Sequence, residues 1–340
     1  MGVIGLFQPR TSYPEILVLE YGAGKPGDIK YLVNQFPPHI SVVTQVGAVP
    51  VHVEFFASPL HLAQEKMQIV KHLSVTDHAV LNYDDQTVLD MRSHTQAQVH
   101  TFGLGQGADV QVTDIVPRVD GPTPLGVSFN MILGGNTMPG VINGTLGRGI
   151  ASACAAAVAV GSIYKIGLAD VVGALVHLVP PAGRMRILRG IKDTVIIDDT
   201  YNASPAAMHL ALDTVKTLPA TRHILVLGDM LELGEHTVTA HQAVGDMAGD
   251  IADVLVCVGE RARFIADSAA NQMPKENIFW FHTSDEATVK VQELIRPGDL
   301  ILVKASQGKR MERIVKEIMA EPQRAGELLV RQSRIWLSKA

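Results

Sequence analysis

The sequence predicts an α/β protein whose second half is a doubly wound domain built on a mostly parallel sheet. Apolar segments that end in polar residues recur along this half, namely TVIIDDT, HILVLGD, VLVCVGE, IFWFHTS and DLILVKAS. Helical patterns follow them near Pro205–Leu218, Thr239–Gly249, Arg261–Gln272, Asp285–Ile295 and Arg310–Met319. Strands that alternate with helices at this spacing form parallel sheets that are covered on both faces. The segment RMRILRG predicts one more strand at the start of this domain.

The first half predicts a less regular arrangement of strands and helices. EILVLE, HISVVTQ and HAVLNYDD are typical of strands, and VHTFG, DVQVTDIV and LGVSFNMIL predict a β-rich stretch after them. A helix should begin at Ser58 and Pro59, because serine accepts a hydrogen bond from a free N–H group and proline fits the first helical position. The alanine-rich IASACAAAVAVGSI and the segment near Leu168–Leu178 predict further helices. The stretch VPPAGRMR marks a change of pattern, so we expect domains at 1–179 and 180–340.

Composition and charge exclude several classes of protein. A formal net charge of −5 and the lack of any Lys/Arg run give no basis for nucleic-acid binding. Cys154 and Cys257 lie far apart in apolar segments, which indicates buried thiols in a reducing compartment instead of a disulfide or metal framework. The start MGVIGLFQPR lacks the zones of a signal peptide, and the alanine-rich segment is too short to span a bilayer. We therefore expect a cytoplasmic protein without stable membrane insertion.

The stretch VIIDDTYNASPAAM carries the strongest local signal of a binding turn. Its β-branched start is typical of a buried strand, and Ser204 with Pro205 is a helix-start signal. Residues 198–203 should therefore form a tight turn at the carboxyl edge of the parallel sheet, where ligands bind. The alternative is that Asp198 and Asp199 only end the strand. We expect Asp199 to be exposed there.

Three residues of the first half are candidates for metal or catalytic chemistry. Glu20 ends a strand-like segment beside a glycine-containing turn, which suits Mg²⁺ but also a solvated strand end. His52 alternates with apolar neighbours, so it is either a ligand or a core histidine. Lys66 lies in the middle of the apolar arc of its helix at 100° per residue. A lysine at that position must extend to solvent, pair with a carboxylate or lose its charge.

The glycine-rich runs do not match phosphate-binding motifs. GLGQGAD precedes a strand-like run instead of opening a helix, so it lacks the dinucleotide-binding context. In ASQGKRM, Arg310 stands where a P-loop requires Ser or Thr, and Val303 stands where it requires its first glycine. GGNTMPG contains no lysine. No P-loop motif occurs in this sequence.

Together these stretches resemble the Mur ligases, and within that family the MurF type. DDTYNASP, LGDMLELGE and PPAGRMR carry the resemblance, supported by VLEYGAGKPGDI and VKASQGKRMERIV. It runs from about Tyr13 to about Lys316. The fold it implies is a truncated central ATPase-type domain followed by a Rossmann-like C-terminal domain.

The resemblance implies an ATP-dependent amide ligase of peptidoglycan precursor synthesis. In that reaction ATP phosphorylates the terminal carboxylate of UDP-MurNAc-tripeptide, and the amine of D-Ala-D-Ala attacks the acyl phosphate. The implied cofactors are ATP and Mg²⁺, and the implied partners are these small molecules alone. We expect a monomer.

The resemblance also assigns roles to individual residues. It implies that Glu20 and His52 are Mg²⁺ ligands and that Lys66 is a lysine whose carbamylation supplies a further ligand. Arg184 matches an arginine that contacts ATP phosphates, and Asp199 matches an acid that contacts the ribose. Three further matches are Asn202 beside that acid, and Lys304 and Ser306 facing the peptide substrate.

The chain also departs from the family pattern. Gly149 and Ala153 stand where the family usually has His and Asn against the adenine, and Gln68 stands where it often has Glu. We expect the UDP-binding domain and the P-loop to lie before Met1, so that this chain alone is an inactive later part of a ligase or a degenerate member. The alternatives are a folylpolyglutamate- or cyanophycin-type ligase and a non-catalytic scaffold. An ordinary dinucleotide-binding oxidoreductase is disfavoured, because no GxGxxG occurs at a strand–helix turn.

Overall fold

The computed structural model describes residues 14–47 and 52–338, and its strands form two sheets. The first sheet has the order β1-β2-β3-β4-β5-β6, parallel from β1 to β4 and antiparallel from β4 to β6. Its strands are β1 Ile40–Val43, β2 His78–Asn82, β3 Gln98–Gly103, β4 Val110–Asp120, β5 Thr123–Leu133 and β6 Asn136–Asn143. The helices of this half are α1 Asp28–Gln35, α2 Pro59–Lys71, α3 Gln86–Leu89, α4 Arg148–Ile163 and α5 Leu168–Leu175. The start of α2 is confirmed, since Ser58 accepts from the His61 N–H at 3.4 Å.

The second sheet has the order β11-β10-β9-β12-β8-β7. All its strand pairs are parallel except β7 with β8, which confirms the predicted doubly wound domain and the additional strand at its start. Its strands are β7 Arg186–Arg189, β8 Val195–Asp199, β9 Arg222–Gly228, β10 Val254–Val258, β11 Ile278–Phe281 and β12 Asp299–Lys304. Its helices are α6 Pro205–Lys216, α7 Thr237–Gly249, α8 Arg263–Ala269, α9 Ser284–Leu294, α10 Glu312–Ile318, α11 Ala325–Leu328 and α12 Arg334–Leu337.

The alanine-rich helix α4 packs against the first sheet. Its buried face is made of small residues, including Ala151, Ala155 and Ala159, which contact the core around Phe102 and Val127. Small side chains let the helix approach the strands closely, as the composition predicts. None of the described helices combines the length and the apolar content that crossing a bilayer requires.

Both cysteines are buried, as predicted. Cys154 lies on α4 and Cys257 lies in the middle of β10. Burial raises the pKa of the Cys154 thiol to about 12, and it raises the pKa of Cys257 further. Because the thiolate is the reactive form, these are structural residues.

The prediction of a strand at EILVLE is wrong for the described residues. Residues 16–19 belong to no strand or helix, and Val18 is 89% exposed. A strand needs a neighbour to accept and donate its backbone hydrogen bonds, and no described strand pairs with this segment. The result is an exposed apolar segment just before Glu20.

The two halves meet through backbone contacts around residue 145. Thr145 forms an isolated antiparallel bridge with Arg186, and the Ile187 N–H donates to the Gly144 carbonyl at 2.9 Å. The first sheet therefore continues into contact with β7. The two sheets divide between residues 143 and 186, and the domain boundary at 179/180 stays a prediction within that interval.

The contact between α7 and α8 gives a stability prediction. A Cβ added at Gly245 would lie 2.4 Å from the Ile265 carbonyl oxygen, which is backbone and cannot rotate away. We expect Gly245→Ala to lower the free energy of unfolding by about 1–3 kcal/mol through overpacking. The control is Gly173→Ala on α5, where no atom lies within 4 Å of the added carbon, so stability should rise by about 0.5–1 kcal/mol. Equal urea midpoints for the two variants would contradict the close approach.

Candidate functional site

A buried ion pair lies at the carboxyl edge of the second sheet. Parallel pairing of β8 with β12 sets Lys304 directly beside Asp199. The Lys304 Nζ lies 2.6 Å from Asp199 Oδ2 and donates to the Asn202 carbonyl at 3.0 Å. The exposed fractions are 2% for Lys304 and 7% for Asp199. The expectation that Asp199 is exposed is therefore wrong, because a lysine far along the chain covers and neutralises it.

The second oxygen of Asp199 contacts residues 183–185, which precede β7 and are called the inter-domain linker below. Asp199 Oδ1 accepts a hydrogen bond from the Met185 N–H at 3.1 Å. One carboxylate thus binds a lysine from β12 and a backbone amide from the inter-domain linker. This arrangement makes the turn after β8 a junction between the sheet and the linker.

Asp198 does more than end the strand, because its carboxylate binds two backbone N–H groups and a hydroxyl. Its Oδ2 accepts from the Gly183 N–H at 3.2 Å, and its Oδ1 accepts from Thr200 Oγ1 at 2.6 Å and the Thr200 N–H at 3.2 Å. The side chain is fully buried, and burial raises the pKa of Asp198 to about 6. The adjacent Asp199 raises this pKa further, whereas the hydrogen bonds lower it.

An arginine at the linker meets the aromatic ring of the turn. The guanidinium carbon of the exposed Arg184 lies 4.0 Å from the ring centroid of Tyr201. A cation over an aromatic face gains roughly 0.5–1 kcal/mol at an exposed site. Among the described residues, no ion-pair partner neutralises Arg184. Arg184 therefore brings an exposed positive charge to this edge of the sheet.

A buried charge cluster from the C-terminal segment holds the same turn, and the sequence analysis missed it. Arg331 donates to the Thr200 carbonyl at 3.0 Å and to the Tyr201 carbonyl. Its guanidinium also pairs with Glu312 at 3.1 Å, and Arg310 pairs with the other oxygen of Glu312 at 2.6 Å. Burial lowers the pKa of Arg331. No local pattern marks Arg331, because it depends on contacts between segments about 130 residues apart.

The remaining predicted residues of this edge connect neighbouring turns. Asn202 Oδ1 accepts from the Gln307 N–H at 3.4 Å. The Ser306 hydroxyl accepts from the Leu231 N–H at 2.9 Å, and Ser306 is 4% exposed. Arg184, Asp199, Asn202, Lys304 and Ser306 thus come together at the carboxyl edge. The peptide-facing roles of Lys304 and Ser306 stay predictions, since both side chains are engaged inside the protein.

Asp229 is a second strand-end carboxylate that the sequence analysis did not select. It follows β9 and is 4% exposed. It accepts from the Ala262 N–H at 2.7 Å and lies 3.3 Å from the Lys309 ammonium. The signal was available, because HILVLGD ends in aspartate at the same edge as VIIDD. The lysine of ASQGKRM is thereby paired with a carboxylate.

The run GLGQGAD is a loop held by a carboxylate. The N–H groups of Leu104 and Gly105 donate to the two oxygens of Asp84 at 2.7 and 2.8 Å. The loop joins β3 to β4, as expected for a run that does not open a helix.

His52 contacts the second domain. Its Nδ1 pairs with the carboxylate of Glu232, which follows β9 in the segment LGDMLELGE. Both side chains are partly exposed, at 39% and 36%. The alternative of a satisfied core histidine does not describe this residue, because its partner is an acid from the other domain.

Lys66 lies on the buried face of α2, as its position on the apolar arc predicts. It falls one helical repeat from the buried Leu62 and Val70. Its ammonium donates to the Gln45 carbonyl at 2.9 Å. Burial lowers the pKa of Lys66, and Asp85 partly offsets this by raising it.

No described contact joins the three residues that are expected to bind Mg²⁺. Glu20 is exposed on the unpaired segment, and no described hydrogen bond or ion pair joins it to His52 or Lys66. Within residues 14–47 and 52–338, no group of three His, Cys, Asp or Glu side chains could hold a metal ion. The Lys66 side chain is unmodified here and donates to the Gln45 carbonyl. The ligand roles of these three residues stay predictions.

Comparison with known proteins identifies both halves of the chain. Residues 5–136 match the Mur ligase middle domain, and residues 183–307 match the Mur ligase glutamate ligase domain. UDP-N-acetylmuramoyl-tripeptide–D-alanyl-D-alanine ligase of Bacillus subtilis is 30% identical over 315 residues, which are 91% of this chain and 65% of that protein. The same-named ligase of Mycobacterium tuberculosis H37Rv is 30% identical over 341 residues, covering 92% and 63%.

A solved structure agrees with these sequence matches. The crystal structure of MurF ligase from Thermotoga maritima in complex with ADP superimposes with a TM-score of 0.77 at 26% identity, covering 90% of this chain and 67% of that one. This chain spans less than two thirds of the length of the two curated relatives. The two domain matches and the shared fold show that the chain belongs to the Mur ligase family and carries that family's middle and C-terminal domains.

Proposed function

We propose that these residues serve an ATP-dependent ligase of the MurF type, which joins D-Ala-D-Ala to UDP-MurNAc-tripeptide in peptidoglycan precursor synthesis. The observation that carries the proposal is the cluster of Arg184, Asp199 and Asn202 at the carboxyl edge of the second sheet. Open parallel sheets bind ligands at this edge. The named function of the relatives and the ADP bound by the Thermotoga protein support the same assignment.

The chemistry requires that a carboxylate be activated before an amine can attack it. In the proposed reaction the tripeptide carboxylate receives the terminal phosphoryl group of ATP, and the amine nitrogen of D-Ala-D-Ala then displaces phosphate from the acyl carbon. Arg184 would hold nucleotide phosphates, since its guanidinium is exposed and planar donors suit phosphate oxygens. Asp199 and Asn202 would orient the ribose from the turn after β8. No step is assigned to Mg²⁺, because no described contact joins the residues that are expected to bind it.

Two other functions fit the fold. A Mur-superfamily ligase of the folylpolyglutamate or cyanophycin type would keep the nucleotide edge and change the amine donor. A scaffold protein would keep the fold without turnover. The relatives' names favour the MurF type over both. The cytoplasmic location and the monomeric state expected from the sequence stay predictions.

The ligase reaction tests the proposal directly. A protein that carries these residues together with the family's UDP-binding domain and P-loop should form UDP-MurNAc-pentapeptide and release phosphate from ATP. Mass spectrometry measures the product, and reactions without D-Ala-D-Ala are the control. Product formed only with glutamate or another amino-acid donor would establish the alternative ligase, and no product with any donor would favour the scaffold.

The ion pair between Asp199 and Lys304 predicts variants in which the effect on protein stability can be told apart from the effect on ADP binding. Asp199→Ala leaves a buried ammonium without its partner, so unfolding should become easier by about 3–5 kcal/mol. The double variant Asp199→Ala/Lys304→Met removes both charges and should recover most of that loss. It should still bind ADP about 1–3 kcal/mol more weakly, the value of a hydrogen bond to a charged group.

Thermal unfolding and calorimetric titration with ADP measure the two effects. The control is Asp213→Ala on the exposed side of α6, which should change stability by less than about 0.5 kcal/mol. Unchanged ADP affinity in the folded double variant would remove this residue pair from the nucleotide site.

The metal assignment has its own test. In crystals grown with a nucleotide and Mn²⁺, an anomalous peak should lie within bonding distance of His52 and Glu20, at about 2.1 Å for a small octahedral cation. His52 can bind the ion through Nε2 while Nδ1 stays on Glu232, since a metal-bound histidine commonly donates its other ring N–H to a carboxylate. A peak bound only by nucleotide phosphates, with neither ring nitrogen of His52 at bonding distance, would remove His52 from the ligand set.

A further inference from the structure

The linker between the domains is held at its backbone by the second sheet. The Gly183 N–H donates to Asp198 at 3.2 Å, and the Gly183 carbonyl accepts from the Tyr201 N–H at 3.0 Å. Two residues later, the Met185 N–H donates to Asp199 at 3.1 Å. The two adjacent aspartates therefore bind the amides on either side of Arg184.

The first domain holds the residue between those two amides. The Thr145 hydroxyl donates to the Arg184 carbonyl at 3.0 Å, and Thr145 is 1% exposed. The backbone of Arg184 is thus fixed from both domains, while its side chain stays exposed beside Tyr201.

The linker adopts a conformation that it would not keep without these contacts. Gly183 has φ +67° and Met185 has φ +49°, both in the left-handed region. A Cβ on Gly183 would lie 2.8 Å from the Tyr201 amide nitrogen, so the close approach needs glycine. Left-handed conformations at residues other than glycine persist only when their surroundings hold them.

We propose that Asp198 and Thr145 are positioning residues, which fix the linker backbone so that Arg184 presents its guanidinium to the phosphates of a bound nucleotide. Neither side chain contacts the ligand in this proposal, which rests on the proposed function only through the role of Arg184. The two residues act from opposite domains on neighbouring backbone groups, so the direction of Arg184 depends on the junction itself.

The burial of Asp198 is hard to explain by stability alone. A fully buried carboxylate costs free energy, and burial raises its pKa to about 6. The charged residues at this end of the surrounding elements are Asp199 on β8, Arg186 opposite it on β7, Lys304 on β12 and Arg331 from the C-terminal segment. As the pH falls through about 6, Asp198 gains a proton and one oxygen no longer accepts a hydrogen bond.

The test compares conservative variants with matched controls. Asp198→Asn and Thr145→Val both keep the volume of the side chain. Asp198→Asn leaves one acceptor oxygen where there were two, so that the Gly183 N–H and Thr200 compete for it. Thr145→Val removes the hydroxyl that donates to the Arg184 carbonyl. The control Asp299→Asn alters an equally buried aspartate, which binds Arg222 at the start of β12, the opposite edge of the sheet. The control Thr194→Val removes a buried hydroxyl that donates to Ile191 before β8 begins.

Two measurements separate positioning from general destabilisation. Trypsin cleavage after the exposed Arg184 should be at least about threefold faster in both linker variants, because opening of the held backbone precedes cleavage. ADP affinity, measured by calorimetry, should fall by about tenfold in Asp198→Asn, the equivalent of one hydrogen bond to a charged group. Neither control should change cleavage at Arg184 or ADP affinity, even if Asp299→Asn lowers the melting temperature.

A pH series gives a readout that a purely structural role would not move. The ratio of wild-type to Asp198→Asn affinity for ADP should fall towards 1 as the pH drops below about 6, because the wild-type carboxylate is then protonated. Titration of the ADP phosphates cancels in this ratio, since both proteins bind the same ligand.

Arg184→Ala distinguishes failure of this inference from failure of the proposed function. If Arg184→Ala binds ADP as wild type does, Arg184 is not a phosphate ligand, and both the proposed nucleotide site and the positioning role are overturned. If Arg184→Ala weakens binding but Asp198→Asn and Thr145→Val do not, only the positioning role is overturned.

Discussion

The buried ion pair between Lys304 and Asp199 is the interaction on which the candidate site depends. An ammonium that is 2% exposed keeps its charge only with a carboxylate partner and further acceptors. Parallel pairing of β8 with β12 supplies the carboxylate, and the Asn202 carbonyl supplies an acceptor. Neutralising one buried charge therefore fixes the path of the chain from the end of the strand into the turn. The exposed Tyr201 lies within that turn, so the surface that would meet a ligand follows from a requirement of the interior.

Most of the second domain could be predicted from the sequence, because its signals are local. A buried parallel strand is a short apolar run, and Ser204 with Pro205 marks the next helix within a few residues. The partners of the turn could not be predicted in this way. Lys304 reaches Asp199 across 105 residues and Arg331 reaches Tyr201 across 130. Such contacts depend on strand order and on how the C-terminal segment packs, and neither leaves a periodic pattern. This is why Asp199 was expected at the surface.

In the first domain, local sequence signals predicted less than they did in the second domain. The position of Lys66 on the apolar arc could be predicted, since helical periodicity alone places it between Leu62 and Val70. Its hydrogen-bond partner could not be predicted, because the Gln45 carbonyl lies in a loop that comes near α2 only in the folded protein. Glu20 illustrates a further limit, since an apolar run predicts a strand only where another strand can pair with it. A metal site built from three separate elements needs all of them in place, whereas a helix needs only its own sequence.

The contacts across the domain junction differ greatly in the free energy they contribute. The pair of His52 and Glu232 is partly exposed at both side chains, and ion pairs of this kind contribute roughly 0–1 kcal/mol. Thr145 is buried and bonded to the linker carbonyl, and a buried donor that loses its acceptor costs about 1–3 kcal/mol. Separation of the domains at His52 is therefore easier than separation at Thr145. A motion that frees His52 can leave the linker, and with it the direction of Arg184, unchanged. The junction thus combines a buried contact at the linker, which is costly to break, with a partly exposed contact at His52, which is not.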